Sequence, residues 1–192
     1  MTMHATGTDL LVLHTLRCVG VAGAARLAEA AALPEPDVES ELIDLAVAGL
    51  VTRLPGEFGG WSLTGPGRAA DAARIRDELD AAGARPVVTR AYGDFLVLNP
   101  ELLDLFTAWQ LRPDDRSRVL AALADFHLRA DAVCAELAGA LLRFRRYRDR
   151  LARALARARA GAVEYVTDDL ASYHTVWFQL HEDLLVTLGI PR

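Results

Sequence analysis

The sequence predicts a mostly α chain with an N-terminal helical unit, one short β-hairpin and a C-terminal helical domain. Three observations predict it. Apolar residues recur at helical spacing through most of the 192 residues. The stretch "LVTRLPGEFGGWSLT" alone has two short strand-like runs around a Pro-Gly turn. Hydrophobic residues make up 52% of the chain and mean hydropathy is +0.17, which excludes a disordered polymer.

The elements follow in order. "GTDLLVLHTLRCVG" sets Leu10, Leu11, Leu13, Leu16 and Val19 on a helix, with Thr8 or Asp9 as N-cap and Gly20 as stop. "VAGAARLAEAAAL" is a short, Ala-rich second helix. "PEPDVESELIDLAVAGL" is the third: Asp37 can cap it, Val38, Leu42, Leu45 and Ala46 form its apolar stripe, and Gly49 closes it. The hairpin follows, and Thr64 can cap a fourth helix that ends near Gly83. Beyond Pro86 the chain is helical throughout. A helix to about Val97 is expected to break at Asn99-Pro100 and resume from Glu101 to Leu111. A long helix is capped near Asp114 or Asp115, an Arg-rich one ends at Gly161, and the last is capped at Thr167 or Asp168 and stopped by Gly189. The domain boundary is expected at Gly83–Pro86, giving residues 1–84 and 85–192.

Helix, helix, turn, helix, hairpin, helix is the order of a winged helix-turn-helix. The stretch "VESELIDLAVAGLVTRLPGEFGGWSLTGPGRA" resembles the recognition helix, wing and following helix of MarR-type bacterial regulators, above all in "AGLV" and "GWSLTGPGR". The resemblance covers about residues 8–83. The second half, with "SYHTVWFQLHEDLLVTLG", Leu98-Asn99 and Trp109-Gln110, is similar to an actinobacterial group of MarR-like proteins. The resemblance implies DNA binding, a small-molecule effector, a homodimer and a cytoplasmic regulator. Ser40, Arg53 and Arg68 are then the DNA-contacting candidates.

Charge opposes that implication. From Glu35 to Leu50 there is no base, while Glu35, Asp37, Glu39, Glu41 and Asp44 are acidic. Residues 1–85 hold 7 Arg and 12 acids, whereas phosphate neutralisation calls for a basic footprint. All 21 basic residues are Arg, and eight of them lie between Arg143 and Arg159. On a helix Arg146, Arg150, Arg153 and Arg157 form one stripe, able to bind phosphates or an acidic surface, or simply to be solvated. An acidic third helix suits instead a basic protein or peptide partner.

The last helix offers the best ligand site. Leu170, Tyr173, Trp177, Leu180 and Leu184 form one apolar stripe, and His174, Phe178, His181 and Leu185 form a second. His174 and His181 are two turns apart, about 10 Å, too far to share a metal ion. With Asn99, Trp109, Gln110 and His127, the residues Tyr173, His174, Trp177 and His181 are candidates to line an effector pocket. An acid–base enzyme using Tyr173, His174 and His181 is the further alternative. No phosphate loop, nucleophile elbow or Cys-x-x-Cys is present, so the catalytic residues of such an enzyme stay unassigned and neither a cofactor nor a metal is expected. Cys18 and Cys134 are expected to be free buried thiols, as in a cytoplasmic protein. "MTMHATGTDLL" lacks the basic start of a secretory leader, and no apolar run reaches a membrane span.

Overall fold

The computed structural model describes residues 5–56 and 59–191. Eight α-helices, three short 3-10 helices and one two-stranded antiparallel sheet account for the regular structure among them. The described chain forms two compact units, residues 1–84 with 182–192, and residues 85–181. This differs from a simple division of the sequence into 1–84 and 85–192: the tail from Glu182 groups with the first unit. No helix is long and apolar enough to cross a membrane among the described residues.

The first unit begins with α1 (Thr8–Val19), α2 (Ala24–Ala31) and α3 (Glu35–Val47). Helix α1 starts inside Gly7, so Thr8 and Asp9 lie in its first turn instead of capping it. Helix α3 starts after Pro34, with Pro36 in its first turn, where a missing N–H costs no intrahelical bond, and Asp37 likewise sits in the first turn, where a carboxylate favours the helix dipole. Gly20 and Gly49 follow α1 and α3 with φ of 82° and 73°, a conformation cheap only for glycine. Val12, Leu13, Leu16, Leu27, Val38, Leu42 and Leu45 meet in one core. They come from the inward stripes of all three helices, which pack pairwise on one another.

The hairpin joins this core. Strand β1 (Val51–Leu54) pairs with β2 (Gly60–Leu63), Val51 opposite Leu63 and Leu54 opposite Gly60. Val51 and Leu63, paired opposite each other at the base of the hairpin, point into the core, while Thr52, Arg53 and Leu54 are exposed. Trp61 exchanges both backbone hydrogen bonds with Ala22, at 2.8 and 3.2 Å, which ties β2 to the connection between α1 and α2. Gly60 permits that approach, since a Cβ there would lie 2.7 Å from the Ala22 carbonyl. Glu57 and Phe58, expected in the hairpin loop, lie outside the described residues, as do Met1–His4. Helix α4 (Gly65–Ala81) is capped by Thr64, whose Oγ1 accepts from Gly67 N at 3.0 Å and donates to Gly49 O at 2.7 Å.

The second unit holds α5 (Arg85–Leu111), α6 (Arg116–Ala140), α7 (Arg145–Arg159) and the start of α8 (Tyr173–Leu188). Two expectations fail here. Pro100 does not break α5, which runs 27 residues through it. The apolar stripe Phe95, Leu98, Leu102, Phe106 and Trp109 continues across the proline and packs one helix on α6. Leu96, whose carbonyl loses its partner at Pro100, is exposed, so water can serve that group. Second, α8 begins at Tyr173 instead of Thr167, and residues 167–172 form turns. Ser172 Oγ accepts from Thr175 N at 3.2 Å, giving the new start its cap. Leu170 therefore leaves the expected stripe and is exposed, while Tyr173, Trp177, Leu180 and Leu184 are buried. Cys18 and Cys134 are free and buried.

Candidate functional site

Helix α3 shows which of its acids face outward. Val38, Leu42 and Leu45 turn into the core, and this fixes Pro36, Asp37, Ser40, Ile43, Asp44 and Val47 on the opposite side. Glu35, Asp37, Glu39 and Asp44 are exposed. So are Ile43 at 58% and Val47 at 85%, large apolar side chains in the middle of that acidic face. Partial burial raises the Glu41 carboxyl above its ordinary pKa, and repulsion from Asp9, Asp44 and Asp37 adds to the shift. Ser40, Arg53 and Arg68 are all exposed, one each on α3, β1 and α4. The only cations among these candidates thus lie off α3.

Of the eight residues expected to line a pocket, Asn99, His127, Tyr173, Trp177 and His181 gather around Phe95 and Phe126 in the second unit, while Trp109, Gln110 and His174 do not join them. Trp177 Nε1 donates to Asn99 Oδ1 at 3.0 Å, and its ring stacks on Phe95 with centroids 4.4 Å apart. His181 joins the same cluster through Phe95 at 5.0 Å and Tyr92 at 6.2 Å. His127 Nδ1 lies 3.1 Å from the Tyr173 hydroxyl, a second polar pair in the packed interior. Burial holds the His127 imidazole below its ordinary pKa and lifts the Tyr173 phenol well above its own. Trp109 is buried under the Arg116 guanidinium, 5.0 Å from its ring. His174 and Gln110 are exposed, His174 meeting Phe106 edge to face with ring centroids 5.0 Å apart. Tyr173, His174 and His181 thus have three different sets of ring partners. Two shallow grooves, of about 460 and 240 Å³, lie at the end of α5 and share Leu105, Ala108 and Arg112. None of the eight lines either groove.

Asn99 is the hinge of the first of these clusters. Replacing it with leucine leaves a buried indole N–H without its acceptor, and the expected cost is about 1–3 kcal/mol in urea unfolding. The fluorescence maximum of the native protein should shift with it, since Trp177 loses its hydrogen bond.

The Arg-rich helix α7 is not a solvated stripe. Arg146 and Arg150 are buried, as is Arg143 just before the helix. Arg146 lies 4.9 Å from the Tyr147 ring centroid and donates to its hydroxyl at 3.1 Å. Arg148 forks onto Asp131 at 2.6 and 2.9 Å, and Arg157 bonds the Tyr165 hydroxyl at 2.5 Å. The stripe drawn through Arg146, Arg150, Arg153 and Arg157 fails as a phosphate-binding face because half of it is inside.

A site that the sequence did not announce lies in the first unit. His14 on α1 is fully buried between two fully buried carboxylates. Its Nδ1 is 3.0 Å from Asp71 Oδ1 of α4, and its Nε2 is 3.1 Å from Asp183 Oδ1 in the tail segment. Cys18, one turn along α1, places Sγ 3.7 Å from the same Nε2. Thr187 Oγ1 donates to Asp183 Oδ1 at 3.0 Å, and Arg17 Nε approaches Glu182 Oε1 at 3.6 Å. Asp71 Oδ2 is buried with no hydrogen-bond partner among the described residues. Burial by itself lowers the imidazole pKa, but Cys18, Asp183 and Asp71 together with the Asp183 hydrogen bond outweigh it. They hold His14 well above its ordinary 6.5. The one sequence signal was a His and a Cys four residues apart on an apolar stripe; both acids come from distant segments.

No family model matches the chain, and neither curated proteins nor solved structures provide a match.

Proposed function

We propose that residues 8–84 form a winged helix of the MarR-like kind that docks a basic protein segment on α3 in place of DNA. The single observation carrying this is the outward face of α3, with exposed Ile43 and Val47 among Asp37, Glu39 and Asp44. An apolar centre with a polar rim is the anatomy of a protein interface. Phosphates would meet repulsion from every charge on that helix, and helix-in-groove DNA reading draws its affinity from the opposite sign. The winged-helix reading itself is supported by the element order and by β2 lying between β1 and the Ala22 connection.

The second reading is a DNA-binding regulator, a homodimer whose helical half senses an effector. Exposed Arg53 and Arg68 favour it, since they are cations beside an otherwise acidic helix in sequence and are free of the core. Binding of the purified protein to pooled genomic DNA fragments at about 50 and about 200 mM salt separates the two, because phosphate contacts make affinity fall steeply with salt. The docking reading expects no sequence-selective binding at the lower salt. It also expects an Arg-rich amphipathic peptide to bind, and to lose about tenfold or more in affinity when Glu39→Arg and Asp44→Arg reverse the rim. Selective, salt-sensitive DNA binding by the unaltered protein overturns it in favour of the regulator.

A further inference from the structure

The buried cluster of the first unit has the composition and spacing of a metal centre. Three different donor atoms converge: an imidazole nitrogen, a thiol sulfur and a carboxylate oxygen, all within 4.8 Å of one another. A tetrahedral zinc ion would set nitrogen and oxygen ligands about 3.3 Å apart and nitrogen and sulfur about 3.6 Å apart. Here His14 Nε2 lies 3.1 Å from Asp183 Oδ1 and 3.7 Å from Cys18 Sγ. His14 and Cys18 are one turn apart on α1, so a single helix face presents both.

The surroundings fit as well. A metal-bound histidine usually donates its other ring N–H to a carboxylate, which fixes the tautomer and turns the free nitrogen to the ion. Asp71 Oδ1 stands in that position, 3.0 Å from His14 Nδ1. Thr187 holds the Asp183 carboxylate through the oxygen that faces His14. An S, N, O donor set selects a borderline ion of the zinc class over calcium or magnesium, which take oxygen alone. Once His14 is neutral, the two buried carboxylates need another cation near them, and the ion would supply it.

We propose that His14 Nε2, Cys18 Sγ and Asp183 Oδ1 bind one divalent transition-metal ion of the zinc class, with Asp71 orienting His14. On binding, Cys18 gives up its thiol proton and His14 its Nε2 proton to solvent, which leaves His14 neutral with its remaining proton on Nδ1. The fourth position falls to a water. The ion stands where the His14–Asp183 hydrogen bond lies in the metal-free form, and holds the same segments together. Because the donors are buried, loading during folding is the expected route.

Cobalt(II) is the probe, since it takes zinc sites and reports its ligands by absorption. The full chain is produced in cells supplied with cobalt, purified without chelator, and read for metal content and visible spectrum. The expected result is one cobalt per chain, with tetrahedral ligand-field bands and a sulfur-to-cobalt charge-transfer band. Cys18→Ser should remove the charge-transfer band and Cys134→Ser should leave it. Asp183→Asn should shift the ligand-field bands. Where Cys18→Ser fails to fold, alkylation of Cys134→Ser decides instead: the metal-loaded chain should protect Cys18 relative to chelator-treated chain. Folded protein with well under one equivalent of cobalt overturns the proposal. So does a charge-transfer band that survives loss of Cys18, or alkylation of Cys18 that chelation leaves unchanged.

Discussion

His14→Ala should lower the unfolding free energy of the metal-free protein by about 3–5 kcal/mol, the cost of leaving buried charges without their partner. Asp71 and Asp183 are both fully buried, and the imidazolium lies between them at 3.0 and 3.1 Å. Removing the ring strands two carboxylates in the interior. Urea unfolding followed by circular dichroism measures the loss. The apolar triple variant His14→Leu, Asp71→Leu, Asp183→Leu should be far less damaged than the single, because it removes the charges along with their partner. A single variant as stable as the original chain would show that the carboxylates do not depend on His14. The pH dependence has a definite sign. The folded pKa of His14 is raised, so its contribution is complete below the ordinary value of 6.5 and is lost as pH rises through the folded value. The difference between the original chain and His14→Ala should therefore narrow toward alkaline pH.

Gly67→Ala should cost about 3 kcal/mol, the upper end of what overpacking typically does. Gly67 sits in the first turn of α4, and a Cβ there would overlap the Leu50 carbonyl oxygen. Leu50 O is already held by Thr64 N at 3.0 Å and by Thr64 Oγ1 at 3.1 Å, so it cannot swing aside without loss of both bonds. The same substitution two residues earlier is the control. Around Gly65 nothing lies within 4 Å of an added Cβ, and Gly65→Ala should be nearly neutral. A thermal-melt comparison of the two variants checks this. Equal melting temperatures would mean that the hairpin and α4 do not pack as described.

Local chemistry made much of the fold legible. Gly20, Gly49, Gly83 and Gly189 all follow helices with positive φ, and Thr64 caps α4, because each depends on a few neighbouring residues. Where tertiary packing opposed the local signal, the local signal lost. Pro100 is a helix breaker by itself, yet the buried stripe from Phe95 to Trp109 carries α5 through it. Thr167 and Asp168 are good caps, yet Ser172 starts α8. Arg146 and Arg150 read as surface cations, and the fold buries both.

The candidate sites divide in the same way. The acidic character of α3 and its stripe are written in consecutive residues, and the fold adds only that Ile43 and Val47 face outward with the acids. Asn99 and Trp177, or His127 and Tyr173, could be named as polar members of helices, but their pairing is long-range and shows them as partners of one another. His14, Cys18, Asp71 and Asp183 are the extreme case. A helix–hairpin–helix order and an acidic third helix are legible in the chain's own residues, because they follow from periodicity and charge over a few turns. The closing of two distant aspartates on His14 comes from long-range packing, because burial removes the water that would otherwise serve each charge and leaves them only one another.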